Sequence, residues 1–266
     1  MGFINTTKSL LIRICHNKVY WKIRNKKIRK DRELFAEKWH QTEYPQQMKD
    51  IKDIHKDAER CFIIGNGPSL RVEDLDKLKN EITFSSNKIY KSFDKTDWRP
   101  YYYVVDDRNY VQDVETNTQI PSVKTFIGLE DNNELLQKYI GSKVIVFRKI
   151  TSIVDNLPQI SKNFGEYLGA GYTVALTQFQ LAAAMGIKKI YFIGTDCSYS
   201  NNSSGKTNWF YGSDSNAQVP IGDESGLFKA FYAIKNYAEE NDIEVYNATR
   251  GGKLEVFPRV KLDELI

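Results

Sequence analysis

The chain is short of the residues that most often hold metals or move protons near neutral pH. It has three histidines, His16, His40 and His55, all before residue 60. Its three cysteines, Cys15, Cys61 and Cys197, show neither paired nor metal-like spacing, so a disulfide framework and a structural zinc are excluded and a reducing compartment is expected. Cys61 and Cys197 lie in or at the end of apolar stretches, where a free thiol behaves as a small buried hydrophobe. No apolar run approaches the roughly 20 residues of a membrane-spanning helix. A secretory signal is not expected either, because near the N-terminus the basic residues follow the apolar ones and no small-residue cleavage site appears. Neither G-x-x-x-x-G-K-[ST] nor a complete G-x-G-x-x-G occurs, so the two familiar glycine-rich phosphate loops are absent.

Charge is present but unevenly placed. Residues 1–30 carry nine basic side chains (Lys8, Arg13, Lys18, Lys22, Arg24, Lys26, Lys27, Arg29 and Lys30) and no acid, whereas the whole chain has a net charge of +4, leaving −5 for residues 31–266. The sequence pI of about 8.7 therefore describes the tail and not the body. Phe3, Ile4, Leu10, Leu11, Ile12, Ile14, Val19, Tyr20, Trp21 and Ile23 are interleaved with those charges. A basic amphipathic segment of this kind suits an anionic membrane surface; a helix packed on the body with a solvated basic face accounts for the same residues. Nucleic acid is not expected as a partner, because the body is acidic and carries no recognised nucleic-acid motif. A homo-oligomer is compatible with the composition.

A chain of 266 residues can bury a full core. The pattern divides it into a basic amphipathic helical extension, residues 1–57, and an α/β body, residues 58–266. In the body, strands are expected at 61–64, 82–87, 101–107, 123–127, 144–147, 189–196 and 244–247. Helices are expected after the first strand (VEDLDKLKN), over Val174–Met185 and over Leu227–Asn241. Alternation of this kind predicts a Rossmann-like, mostly parallel sheet with helices on both faces. Residues 198–224, rich in Ser, Asn and Gly, are too long for a mere connection and read as an active-site lid.

The most informative stretch is the strand Cys61–Ile64 running into Gly65-Asn66-Gly67-Pro68-Ser69. A glycine-rich turn between a strand and a helix offers backbone N–H groups and the positive end of a helix dipole to a phosphate or carboxylate. Gly65 and Gly67 are expected to allow positive φ and close ligand approach, and Ser69 to cap the helix. An ordinary tight turn is the plain alternative. Ligands on parallel sheets bind at strand carboxyl ends, where the strand order reverses, and Gly65–Ser69, Asn87, Asp106, Asp107 and Gly194–Asp196 all fall at such ends.

The Gly65–Leu70 turn, Asn87 and the run GYTVALTQFQLAAAMGIKKIYFIGTD resemble two related families: the bacterial lipooligosaccharide sialyltransferases that use CMP-sialic acid, and the MptE-like domain, named for an archaeal 6-hydroxymethylpterin diphosphokinase. The closing Asn247-Ala248-Thr249-Arg250-Gly251-Gly252 resembles the MptE-like group. The resemblance covers about residues 60–266. It implies that Gly65, Asn66, Gly67, Pro68, Ser69, Asn87 and Thr173 contact a nucleotide and its phosphate. It further implies that Gly194, Thr195 and Asp196 cradle the nucleoside, that Asp106 stands at the donor, and that the lid brings Tyr199, Trp209 and Tyr211 over the sugar. The sialyltransferases place a catalytic histidine near the end of the lid; this chain has none there, so Asp223 or Glu224 takes the base role or the chemistry differs.

Asp106 and Asp107 also read as an adjacent carboxylate pair able to hold a divalent ion, Mg²⁺ or Mn²⁺, at a nucleotide diphosphate; a solvated turn is the alternative. Asp196 has a structural alternative as a cap on local backbone N–H groups. The expected function is a glycosyltransferase of cell-surface polysaccharide or glycolipid assembly at the cytoplasmic face of the membrane, with a nucleotide-sugar donor, CMP-linked by analogy, and a glycan or lipid-linked glycan acceptor. Diphosphate transfer from ATP and a non-catalytic nucleotide-binding scaffold are the competing expectations.

Overall fold

The computed structural model describes residues 3–199, 208–212 and 224–266, with side chains described from Trp21 onward and, in the last segment, from Gly226. Apolar runs of four to six residues bounded by glycine and polar residues form the strands β1 (Cys61–Ile64), β2 (Thr83–Ser86), β3 (Tyr102–Val105) and β4 (Lys124–Leu129). β1, β2 and β3 are buried at every position, which is the pattern of strands covered on both sides. β5 (Val144–Thr151), β8 (Leu168–Ala170), β9 (Lys189–Ile193) and β10 (Glu244–Asn247) complete an eight-stranded sheet of order β10-β9-β1-β2-β3-β4-β5-β8. Every neighbouring pair is parallel.

The order dictates the layers. From β1 the chain steps outward through β2, β3, β4 and β5, linked by α3 (Val72–Lys77), α4 (Val114–Gln119) and α5 (Asn133–Tyr139). It then crosses back through α6 (Val174–Ala184) to β9 beside β1, and through α7 (Glu224–Glu240) to β10. Right-handed crossovers in opposite directions put the two helix sets on opposite faces. The strand order reverses between β1 and β9, so a crevice opens at their carboxyl ends. The expected α/β fold is the one found.

Several details differ from expectation. β5 continues to Thr151, four residues past the predicted end, and pairs with the short β8, where Gly169 is so close to the Gln159 carbonyl that a Cβ would lie 1.8 Å from it. A two-stranded hairpin, β6 (Ile153–Val154) and β7 (Leu157–Pro158), lies between them. The helix after the glycine turn is only six residues long and starts at Val72 with Arg71 as its N-cap, so Ser69 does not cap it.

At the N-terminus, α1 (Phe3–His40) and α2 (Tyr44–Asp50) precede the sheet. α1 is one unbroken helix through the whole basic stretch, in which apolar and basic residues both occur. The two kinds of residue separate along the axis, apolar ones concentrated near the start and basic ones in residues 18–30. The end of α1 and α2 pack into the core through Phe35, Trp39, Tyr44, Met48 and Ile51. Trp39 Nε1 donates to the Val146 carbonyl of β5 (2.7 Å), and the Tyr44 hydroxyl donates to the Tyr139 carbonyl (2.9 Å). Trp39→Ala is expected to cost about 3–5 kcal/mol in urea unfolding, because it empties a core site and orphans a buried carbonyl. Lys22→Ala, on an exposed turn of the same helix, should fall within about 0.5 kcal/mol of the parent.

Candidate functional site

The turns after β1 and β9 are bound to each other. Gly65 N–H donates to the Ile193 carbonyl and Gly67 N–H to the Gly194 carbonyl, both at 2.8 Å. A Cβ on Gly65 would lie 2.3 Å from the Gly194 oxygen, and one on Gly67 would lie 1.9 Å from Asp196 Oδ2. Ser69 closes the contact: its N–H donates to Asp196 Oδ1 (3.2 Å) and its hydroxyl to Asp196 Oδ2 (2.8 Å). The Gly65, Gly67 and Ser69 amides, expected to be open to a phosphate, are therefore already paired within the protein. Nor do Gly65 and Gly67 have positive φ; Gly194 does, at +60°. The glycines are needed so that one turn can approach the other.

The closing Asn247–Gly252 motif supports this frame from behind. Thr195 N–H donates to Thr249 Oγ1 (3.1 Å), and Lys253 N–H donates to the Asp196 carbonyl (2.7 Å). Gly252, at φ +73°, lies where a Cβ would be 2.6 Å from the same carbonyl oxygen. Asn247 Nδ2 donates to the Leu254 carbonyl (2.6 Å) and its Oδ1 accepts from Thr249 N–H (2.9 Å). Burial raises the Asp196 carboxyl above its ordinary pKa, against the lowering effect of the Ser69 hydrogen bonds.

In front of the frame is a cleft of about 590 Å³. Of the expected residues it is lined by Gly65, Asn66, Gly67, Pro68, Asn87, Asp106, Asp107, Thr173, Gly194, Thr195, Asp196, Tyr199, Trp209 and Tyr211. Ser69 is not in the lining; it stands behind Asp196. Asp223 lies outside the described residues, as does the side chain of Glu224 at the start of α7. Trp209 and Tyr211 stack in parallel, with ring centroids 6.1 Å apart, and the Phe210 N–H donates to the Asn66 carbonyl (3.0 Å). The Tyr199 hydroxyl is pushed up to about 12 by burial and by the nearby Cys197 and Asp196.

Three buried side-chain amide atoms of lining residues have no hydrogen-bond partner among the described residues: Asn66 Oδ1, Asn87 Oδ1 and Gln178 Nε2. Asn66 is oriented by its own Nδ2, which donates to the Ser86 carbonyl (3.0 Å). Asn87 is held in the left-handed region at φ 52°, its carbonyl accepting from the Tyr103 hydroxyl (2.7 Å). Buried polar atoms are almost always paired, so two acceptors and one donor left open around one cleft mark groups that a ligand would satisfy. Gln178 is an addition to the expected set. Its signal in the sequence is a polar pair, Thr177-Gln178, inside a helix whose one other polar residue is Gln180. Lys149 is another addition, hidden by the underestimated length of β5.

Asp106 and Asp107 diverge. Asp106 is buried, and its Oδ2 accepts from the Thr177 hydroxyl of α6 (2.5 Å) while its carbonyl accepts from the Lys149 ammonium. Asp107 is exposed and turns back to accept from Asn109 N–H (2.7 Å). Among the described residues there is no group of three or more His, Cys, Asp or Glu able to hold a metal ion. One oxygen of Asp106 is thus engaged by Thr177 and one of Asp107 by its own turn, with the Lys149 ammonium beside them at the Asp106 carbonyl.

Two outcomes follow from this geometry. Gly67→Ala should lower the melting temperature and Ser69→Ala less so, because only the former forces the two turns apart; thermal unfolding measures both. A raised Asp196 pKa contributes stability that is full below its unfolded value of about 3.8 and is lost as pH rises through the folded value. Asp196→Asn should therefore flatten the fall in melting temperature above pH 4.

The model of the 6-hydroxymethylpterin diphosphokinase MptE-like family matches residues 35–202. No curated protein matches the chain. Among solved structures the chain is similar to the MAf glycosyltransferase from Magnetospirillum magneticum AMB-1, at 14% identity and a TM-score of 0.54, over 81% of this chain and 35% of that one. It thus spans about a third of that protein's length, and the likeness is one of fold. A further alignment is with the sialyltransferase CstII from Campylobacter jejuni, solved with the substrate analogue cytidine-5'-monophosphate, at 12% identity over 76% of this chain and 85% of that one; its TM-score of 0.43 carries no argument. The family match begins at Phe35, where α1 enters the core, and takes in both interlocked turns and the whole of the intervening sheet. The chain is a member of the MptE-like family.

Proposed function

We propose that the cleft binds the nucleotide of an activated sugar and that the protein transfers the sugar to an acceptor hydroxyl, in the assembly of a cell-surface polysaccharide or glycolipid. The observation that carries this is that Asn66, Asn87 and Gln178, each with an amide atom unpaired among the described residues, line one cleft at the β1/β9 crevice. Amide acceptors and donors at a switch point suit the edges of a base and the hydroxyls of a ribose and a sugar. A fold shared with a chain described as a glycosyltransferase supports the reading.

The donor is CMP-linked. A single departing phosphate needs little positive charge, and the cleft supplies it from Lys149 and from the amino end of α6, where Tyr172, Thr173, Val174 and Ala175 line the wall. A nucleoside diphosphate would bring more charge to a wall where Asp106 and Asp107 already engage Thr177 and Asn109. Asp106, buried and oriented by Thr177, serves as the base toward the acceptor hydroxyl; Asp223 and Glu224 are the other carboxylates that could take that role. The paired aromatics Trp209 and Tyr211 cover the sugar. The basic residues of the first thirty bind an anionic membrane surface at the cytoplasmic face, where a lipid-linked acceptor would be presented.

Thermal unfolding with CMP, CDP, UDP, GDP and ATP, each with and without Mg²⁺, tests the donor class. Metal-independent stabilisation by CMP is the expected result, about 2.7 kcal/mol at a hundredfold excess over Kd. Stabilisation only by ATP with Mg²⁺ would overturn it in favour of diphosphate transfer, the activity in the family's name. No stabilisation by any nucleotide would leave a scaffold. Asn66→Ala, Asn87→Gly and Gln178→Met should each weaken CMP binding roughly three- to tenfold, the worth of one neutral hydrogen bond. Asp106→Asn should lower release of CMP from a CMP-sugar by roughly 10²–10⁴ while CMP still binds.

A further inference from the structure

Seven non-glycine residues among those described have positive φ. Five are Asp or Asn, whose short polar side chains tolerate the left-handed region; the other two, Tyr172 (φ 61°) and Cys197 (φ 50°), both line the cleft. Tyr172 is the bulkier and the more open of the pair, with half of its surface exposed where Cys197 is buried. It occupies the middle of a three-residue turn closed by the Thr173 N–H, which donates to the Gly171 carbonyl (2.7 Å), a conformation disfavoured for any side chain. Glycine would suit that position better. Yet glycine stands at 171, which is not among the residues at positive φ, and tyrosine at 172, which is.

The strain is held from three sides. Gly171 packs on Pro158, where a Cβ would be 2.9 Å from the proline side chain. Thr173 caps α6, its Oγ1 accepting from the Ala175 N–H (3.2 Å). Gly226, near the start of α7, lies against the tyrosine ring, where a Cβ would be 2.8 Å from both Cδ1 and Cε1. A larger residue at 226 would push the ring from its place. Strained residues persist where the surroundings over-determine them, and they gather at binding sites. A half-exposed aromatic ring kept in this conformation at a cleft wall is there for what it meets in the cleft.

Its position says which part of the ligand that is. Along the carboxyl edge the cleft runs from the Gly194–Asp196 turn after β9 to Lys149 and Thr151 of β5 and Gly171 after β8. β1 and β5 are four strands apart, roughly 19 Å at about 4.8 Å per strand. With the nucleoside at the β1/β9 end and the phosphate at Lys149 and the amino end of α6, Tyr172 stands at the far end, on the side of the phosphate away from the base. The hydrogens on one face of a sugar ring are slightly positive and suit the negative face of an aromatic ring.

We propose that Tyr172 is the sugar platform of the donor site: its ring takes the apolar face of the transferred sugar, the Trp209–Tyr211 pair covers it, and Tyr172 thereby distinguishes a CMP-sugar from free CMP. This rests on the nucleotide-sugar reading above and adds the residue that recognises the sugar.

Calorimetric titration of the full chain with CMP and with CMP-sialic acid, which share the nucleotide and differ by a sugar, tests it. The parent should bind CMP-sialic acid more tightly than CMP. Tyr172→Gly should weaken binding of CMP-sialic acid roughly three- to tenfold and leave that of CMP within about twofold. Its melting temperature should equal or exceed the parent's, because glycine accepts positive φ without strain, an outcome that a merely structural tyrosine would not give. Tyr172→Phe keeps the ring and should match the parent with both ligands. Tyr172→Asn, which also tolerates that φ, repeats the test should the glycine variant unfold early. A preference for CMP-sialic acid that survives in both the glycine and the asparagine variants would overturn the platform. So would its absence in a parent that binds CMP, or an equal loss of both ligands in the variants. Failure of the parent to bind CMP would instead overturn the nucleotide reading on which the proposal rests.

Discussion

Everything at the carboxyl edge of the sheet depends on two turns that meet because Gly65, Gly67 and Gly252 carry no Cβ. Those positions leave room only for the Gly194 carbonyl and the Asp196 residue they touch. In return the Gly65, Gly67, Ser69 and Lys253 amides find acceptors without water. A buried backbone donor left open costs about as much as a lost hydrogen bond, so this mutual pairing lets a glycine-rich crossing pack tightly at the edge of the core, beneath the cleft. It also decides how a ligand can be recognised. With the Gly65, Gly67 and Ser69 donors committed, polarity toward the cleft comes mainly from side chains such as Asn66, Asn87, Asp106, Lys149 and Gln178 and from the amino end of α6.

The layered fold was legible in the sequence because its strands are short apolar runs punctuated by glycine and polar residues, and because helices alternate with them. Cys61–Ile64, Val174–Ala184 and Lys189–Ile193 fall where their patterns put them. The convergence of Asn87, Asp106 and Gly194–Asp196 was legible too, since strand ends of a parallel sheet meet at one edge. What the one-dimensional pattern hid was which partner each group takes. The glycines after β1 read as room for a ligand, whereas they make room for another loop of the same chain. Asp106 and Asp107 look alike in sequence, but one is turned inward to a helix threonine and the other outward to its own loop. β8 is three residues long and Leu-Gly-Ala in composition, too short to register as a strand, and its pairing is what carries β5 as far as Lys149 and Thr151.

α6 shows how a buried helix can serve packing and recognition together. Leu176, Phe179 and Leu181 fill the core, while Gln180 spends both ends of its amide on Gly169, with its oxygen also accepting from Ser161 N–H. Thr177 orients Asp106, and Gln178 has a donor unspent among the described residues. Polar groups in such a setting are held rigidly because every competing conformation would strand them without a partner. The cleft is consequently preorganised on this wall, and a ligand that satisfies Gln178 need order little of the protein to do so.

The absence of room at the crossing has a consequence for how this architecture can change. A frame in which an added methyl group would collide with backbone cannot be tuned by small steps, so substrate preference has little freedom to drift through the turns themselves. The tips of β3 and β5 and the first turn of α6 carry no such restriction, apart from Tyr172, already held at a φ of 61°. New specificities on this scaffold would therefore arise by exchange of side chains around a fixed hub, and lineages that differ in what they recognise would still share the same glycine crossing.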